Sequence, residues 1–268
     1  MKIQAKAVAD KNIFLLYAAL NACGYDRENG KGMHPIRIKI RDWVLGRGSD
    51  TTVLREICEE NQQNTYYLLI HELLGDSLTE RVVGFGEAID KFVQETELEN
   101  LWQEVLPEYQ ILAASLQKDG TTAAEVVEKY LRMPDLDIDG LIVIPNLLES
   151  YNSGIGPRVG KTAYAILGPS EDGIYLPRIQ HELLHSIINP LTEDYELTKR
   201  SRLREYVIRA MVLRMNRESE YYESRRERLL EKGYERMDDF LNWLEKYEQS
   251  DKPFAEFLKQ TVGGLAVD

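Results

Sequence analysis

The sequence predicts an α+β fold, predominantly helical, in which a small β-sheet stands just before a helix carrying two histidines one turn apart. Three observations predict it. Apolar residues recur at helical spacing through the first half, two β-branched runs follow Pro134, and helical periodicity then resumes as far as the Gly263-Gly264 tail.

The elements can be justified in order. Phe14, Leu15, Ala18 and Ala19 share one helical face inside the apolar run 13–22, which Gly24 ends. Further helices are expected near 52–62, 65–74, 88–99, 101–116 and 123–131, with Gly120 and Pro134 as breaks. Gly140-Leu-Ile-Val-Ile-Pro145 has the length and composition of one buried strand. A loop rich in Gly and Asn, 152–160, separates it from a second strand at 161–167, which Gly168-Pro169 closes. Internal repeats and low-complexity linkers are absent from the sequence. The change of texture divides the chain into a helical region, 1–134, and a region of sheet and helices, 135–268, packed tightly or forming one compact domain.

Composition excludes several classes of function. With 268 residues, 43% hydrophobic and 29% charged, the chain can bury a core without disulfides or structural metals. Its 33 basic and 45 acidic residues leave a net charge of −12, which argues against a nucleic-acid partner. Cys23 and Cys58 are the only cysteines, too few for a cysteine-based zinc site or a disulfide framework. Lys2, Lys6 and Lys11 before the run 13–22, with Leu20-Asn21-Ala22-Cys23 at its end, imitate a lipoprotein leader. Asp10 beside the run and Asn21 within it argue otherwise, and the run is shorter than the roughly 20 residues of a spanning helix. The expectation is a cytoplasmic protein with neither a nucleic-acid nor a membrane partner.

The chemistry concentrates in His181-Glu182-Leu183-Leu184-His185. At about 100° per residue the two imidazoles lie roughly 40° apart, while Leu176, Ile179, Leu183 and Ile187 fall on the opposite side, at about 160–240°. Glu182 stands at about 100°, beside the imidazole pair. Two histidines so placed can chelate one metal and leave a carboxylate near its open position. His71-Glu72-Leu73-Leu74-Gly75 opens identically, but Gly75 replaces the second histidine, so that copy reads as structural.

The third ligand is sought downstream. A metzincin-type extension needs Gly at 188 and His at 191; Ile188 and Leu191 stand there, which excludes it. Glu193, Asp194, Glu196 and Glu205 are the acidic candidates, and the first two follow Pro190 in a turn without helical support. Glu205, 20 residues beyond His185, shares a helical face with Ile208 and Val212, and Arg209 stands one turn on. A carboxylate on an apolar face needs a cation, supplied by a metal or by Arg209 at i+4. The ligand role is favoured, with Arg209 as a supporting partner.

His181-Glu182-x-x-His185 followed by Glu205 resembles the gluzincin arrangement of thermolysin-type zinc metallopeptidases, whose spacing the 20-residue gap matches. The longer string from His181 to Pro190 is also similar to a bacterial domain family with an HExxHSxxNP stretch, whose members carry a Glu in a later helix. The resemblance runs from about residue 140 to 215. It implies a small sheet before the metal helix, whose edge strand pairs with an extended peptide. It also implies Zn2+ held by His181, His185 and Glu205, and hydrolysis of a peptide or protein substrate through metal-activated water, with Glu182 as general base. One departure stands out: thermolysin-type enzymes carry an Asp where this chain has Arg209.

A donor to the developing oxyanion is expected as well, and Tyr195, Tyr206, Tyr221, Tyr222 and His34 are among the candidates. The segment 199–228 holds ten basic against five acidic residues and reads as charged helix faces laced by i,i+4 pairs rather than as a basic wall. The alternative to an enzyme is a catalytically inactive zincin-fold binding or regulatory module. The departure at Arg209 favours that alternative, and the intact Glu182 favours catalysis.

Overall fold

The computed structural model describes residues 2–24, 32–60, 70, 72–74, 84–193 and 197–261. In chain order the elements are β1 (Gln4–Ala7), α1 (Lys11–Ala22), α2 (Pro35–Arg47), α3 (Thr52–Glu60), α4 (Phe85–Thr96) and α5 (Leu98–Leu131). β2 (Gly140–Pro145), β3 (Gly154–Ile155), β4 (Arg158–Val159) and β5 (Thr162–Leu167) follow. The chain then runs through α6 (Leu176–Leu191), α7 (Leu197–Met215), α8 (Tyr221–Glu231), α9 (Met237–Glu248) and α10 (Phe254–Thr261). This is the predominantly helical α+β fold that the sequence predicts. The expected helix at 65–74 falls largely outside the described residues, as do His71 and the Gly263-Gly264 tail.

The sheet is mixed. β2 pairs in parallel with β5, Gly140 opposite Thr162 and Pro145 opposite Leu167. β3 and β4 run antiparallel along the other side of β5, which makes β3 an edge strand. The opposite edge is β1, parallel to β2, a strand that the sequence did not announce. Four residues with two half-buried alanines carry no pattern of their own. The strand exists because α5 completes its edge: the Gln117 side chain accepts from Ala7 N at 2.9 Å and donates to Ala5 O at 3.0 Å.

Alternation along β2 and β5 sends side chains into two cores. Leu141, Val143, Ala163, Ala165 and Leu167 join the C-terminal half of α5 and helices α6, α7, α9 and α10. Ile144 and Ile166 face the other way, into a core built from α1, α2, α4 and the N-terminal half of α5. α5 serves both cores as one 34-residue helix, where two helices broken near Gly120 were expected. Gly120 is a contact rather than a break. A Cβ there would stand 3.1 Å from Val143 Cγ2 and 3.8 Å from Ala5 Cβ, so the bare backbone lets the helix lie close on the sheet. The apolar run at 13–22 is α1, with Phe14, Leu16 and Tyr17 fully buried. Among the described residues no helix is long and apolar enough to cross a membrane.

The turn between β3 and β4 lies directly on α6. A Cβ on Gly156 would overlap the carbonyl oxygen of Glu182 and stand 2.9 Å from its Cα, so only glycine permits this approach. Gly156→Ala is therefore expected to destabilise the fold by about 1–3 kcal/mol in urea unfolding. An unchanged midpoint would show that the turn and helix are not in such contact.

Candidate metal centre

α6 carries the paired histidines because its sequence buries the rest of its surface. Ile179, Leu183, Leu184, Ile187 and Ile188 are all in the C-terminal core. His181 and His185 face α7, with side chains 18% and 20% exposed, open enough for an ion to enter. Two polar contacts fix how α7 lies against α6. Arg204 donates to Asn189 O and to Thr192 Oγ1, each at 2.6 Å, satisfying the C-terminal end of α6. At the other end, Asn216 Nδ2 donates to Gln180 Oε1 at 2.6 Å.

Between those contacts Glu205 meets the histidines. The two Nε2 atoms are 3.1 Å apart, Glu205 Oε1 is 3.2 Å from His185 Nε2, and Glu205 Oε2 is 4.0 Å from His181 Nε2. Taken with one donor atom each, the three side chains converge within 4.8 Å, close enough that they could hold one metal ion. Among the described residues no other group of three His, Cys, Asp or Glu converges in this way. Arg209 Nη2 lies 2.7 Å from Glu205 Oε2, and its guanidinium rests 4.8 Å from the Tyr234 ring centroid. Of the two roles weighed for Glu205, the pairing with Arg209 is present, and the same carboxylate lies within reach of both imidazoles.

Burial and neighbouring charge separate the ionisation of these groups. His181 is held well below its ordinary value by burial, then by the positive charges of His185 and Arg209. That favours the neutral imidazole that ligation requires. For His185 burial acts downward too, but the hydrogen bond to Glu205 and the charges of Glu182 and Glu205 outweigh it, so the net shift is upward. Burial would raise Glu205; its hydrogen bond to His185 and the charges of His181 and Arg209 outweigh that and bring it to about 2. Glu182 is pushed up to about 7 by burial. Its carboxylate lies against β3, since a Cβ on Gly154 would come within 3.0 Å of Glu182 Oε1.

A cavity of about 230 Å³ opens beside the triad, with Ser153, Gly154, Arg178, His181, Glu182, Arg209, Tyr221 and Arg225 on its wall. Of the tyrosines weighed from the sequence, Tyr221 alone among the described residues lines it. Tyr206 is buried and stacked on Phe240 at 4.7 Å, Tyr222 packs on the C-terminal core, and Tyr195 is outside the described residues. His34 instead caps α2, its Nδ1 accepting from Ile36 N at 3.3 Å. Glu193 lies exposed past the end of α6, and Asp194 and Glu196 are outside the described residues. Sequence reasoning passed over Arg178, although at about 60° from His181 it shares the imidazole face. It also read the basic segment as solvated faces, whereas Arg209 and Arg225 of that segment line the cavity.

The raised Glu182 makes the metal-free chain sensitive to pH. Below its ordinary value near 4.5, folded and unfolded chains both hold the proton; as pH rises toward 7 the unfolded chain ionises first, and stability falls. In chelator, Glu182→Gln is expected to match the parent near pH 4 and to exceed it at pH 8 by on the order of 2–3 kcal/mol, read from unfolding midpoints. A difference independent of pH would mean that Glu182 ionises normally.

Compared with protein-family models, with curated proteins and with solved structures, the chain matches none.

Proposed function

We propose that the chain is a cytoplasmic zinc-dependent metallopeptidase that hydrolyses peptide bonds with Glu182 as general base. The observation that carries this reading is the meeting of two imidazole nitrogens and a carboxylate within 4.8 Å, with a buried Glu182 beside them on the cavity wall. His181, His185 and Glu205 would hold the metal, which when bound supplies Lewis acidity for polarising a carbonyl and acidifying water.

The chain's own residues do the rest. Glu182, at about 7, can take a proton from water at neutral pH and release it to the leaving amine. Gly154, bare of side chain beside that carboxylate, belongs to an edge strand that offers backbone groups to an extended peptide. Tyr221 on the cavity wall supports an assignment as hydrogen-bond donor to the developing oxyanion. Arg209 orients the Glu205 carboxylate from behind. The run 13–22 lies in the core as α1, which fits the cytoplasmic placement.

Two measurements test the proposal. Protein purified without an affinity metal should contain close to one zinc per chain, and Glu205→Ala should contain much less. Glu182→Gln should keep its zinc and lose zinc-dependent cleavage of a peptide library by about 10²–10⁴-fold. No metal bound at micromolar zinc would replace the peptidase by a zincin-fold binding module. Zinc without any cleavage by the parent chain would leave a non-catalytic metal site.

A further inference from the structure

The charge on the cavity wall is unbalanced. Three guanidinium groups, those of Arg178, Arg209 and Arg225, share it with a single carboxylate, that of Glu182. Arg209 is neutralised by Glu205. The other two form no ion pair among the described residues, although the charges of Glu182 and Asp172 reach Arg178 from farther off. Arg178 is held by carbonyl oxygens: its Nη2 donates to Gly168 O at 2.9 Å and to Ser153 O, while its Nη1 is buried and has no hydrogen-bond partner among the described residues. Arg225 is half-buried on α8, its guanidinium 5.8 Å from the Tyr221 ring centroid, and it forms no ion pair among the described residues. A guanidinium withdrawn from water without a counter-ion is costly, and the planar fork of Arg suits a carboxylate.

We infer that this cavity is a subsite for a carboxylate of the substrate, with Arg225 as the contacting cation and Arg178 as the charge set in the wall behind it. The inference rests on the peptidase reading and narrows it: cleavage takes place next to a negative charge. That charge is either the free carboxyl end of a peptide or the side chain of an Asp or Glu. Arg178 was already committed to the loop before β3, so its charge is a fixed feature of the site and not a mobile surface group. Arg225 comes from α8, beyond the span that carries the metal ligands, so substrate choice and metal binding use separate elements.

The test is calorimetric and does not depend on turnover. Three probes are titrated into the full chain carrying Glu182→Gln: N-acetyl-Ala-Leu as the free acid, its amide, and N-acetyl-Ala-Glu amide. At least one of the two anionic probes should bind about tenfold tighter than the neutral amide, and which one does so identifies the source of the carboxylate. The preference should fall to within about twofold in Arg225→Gln and return in part in Arg225→Lys. A preference due to a bound metal would survive those changes. Arg178→Gln is read alongside, because it also loosens the loop at Ser153. Equal binding of all three probes, or a preference unchanged in both glutamine variants, overturns the inference. Loss of the peptidase reading would appear separately, as absent cleavage by the parent chain with the binding preference intact.

Discussion

The site depends on a half-buried carboxylate that cannot stand alone. Glu205 projects from α7 into a region where burial opposes its charge, and it is kept ionised by a hydrogen bond to His185 and by the charge of Arg209. Withdrawing a carboxylate from water is tolerable only with such partners. That requirement fixes the relation of two helices: α7 must lie where Glu205 reaches both imidazoles of α6. Arg204 at the C-terminal end of α6 and Asn216 against Gln180 hold the helices in that register. The apolar contacts of the C-terminal core supply the bulk of the packing.

How the sheet serves the site follows from its two-sided burial. β2 and β5 are covered on both faces, so neither can move without disturbing a core. β3 is carried on the rim of this rigid layer, and the turn at Gly156 presses it onto the backbone of Glu182. The general-base candidate is therefore located from two directions, by its own helix and by an edge strand. α5 passes through both cores and lies on the sheet at Gly120, which couples the helical first half to the layer that bears the site.

Legibility in the sequence followed the range of the interactions concerned. The strand Gly140–Pro145, the helix bearing His181 and His185, and the choice of Glu205 all rest on local spacing, and the structure brings His181, His185 and Glu205 together. β1 was illegible because its pairing partners lie far along the chain and its edge is completed by Gln117. Gly120 misled for the same reason: its meaning is a contact with Val143, not a local turn. Arg178 stood in plain view on the imidazole face, but only the folded chain shows that carbonyl oxygens, rather than an ion pair among the described residues, hold its guanidinium. Arg225 was hidden among ten basic residues of which most look solvated.

The triad and the cavity place opposite demands on charge, and the chain meets them by dividing its cations. Arg209 stays with Glu205, while burial first, and then the charges of His185 and Arg209, keep the His181 imidazole neutral. His185, raised by its carboxylate neighbours, holds its proton more firmly, so a metal entering the triad must displace that proton. The positive charge left in the cavity then comes from Arg178 and Arg225, neither of which belongs to the donor set. An anion bound there would offset their charge without competing for the ligands. Arg209 meanwhile stays on Glu205, so the cation that holds that carboxylate is not free to meet an anion in the cavity.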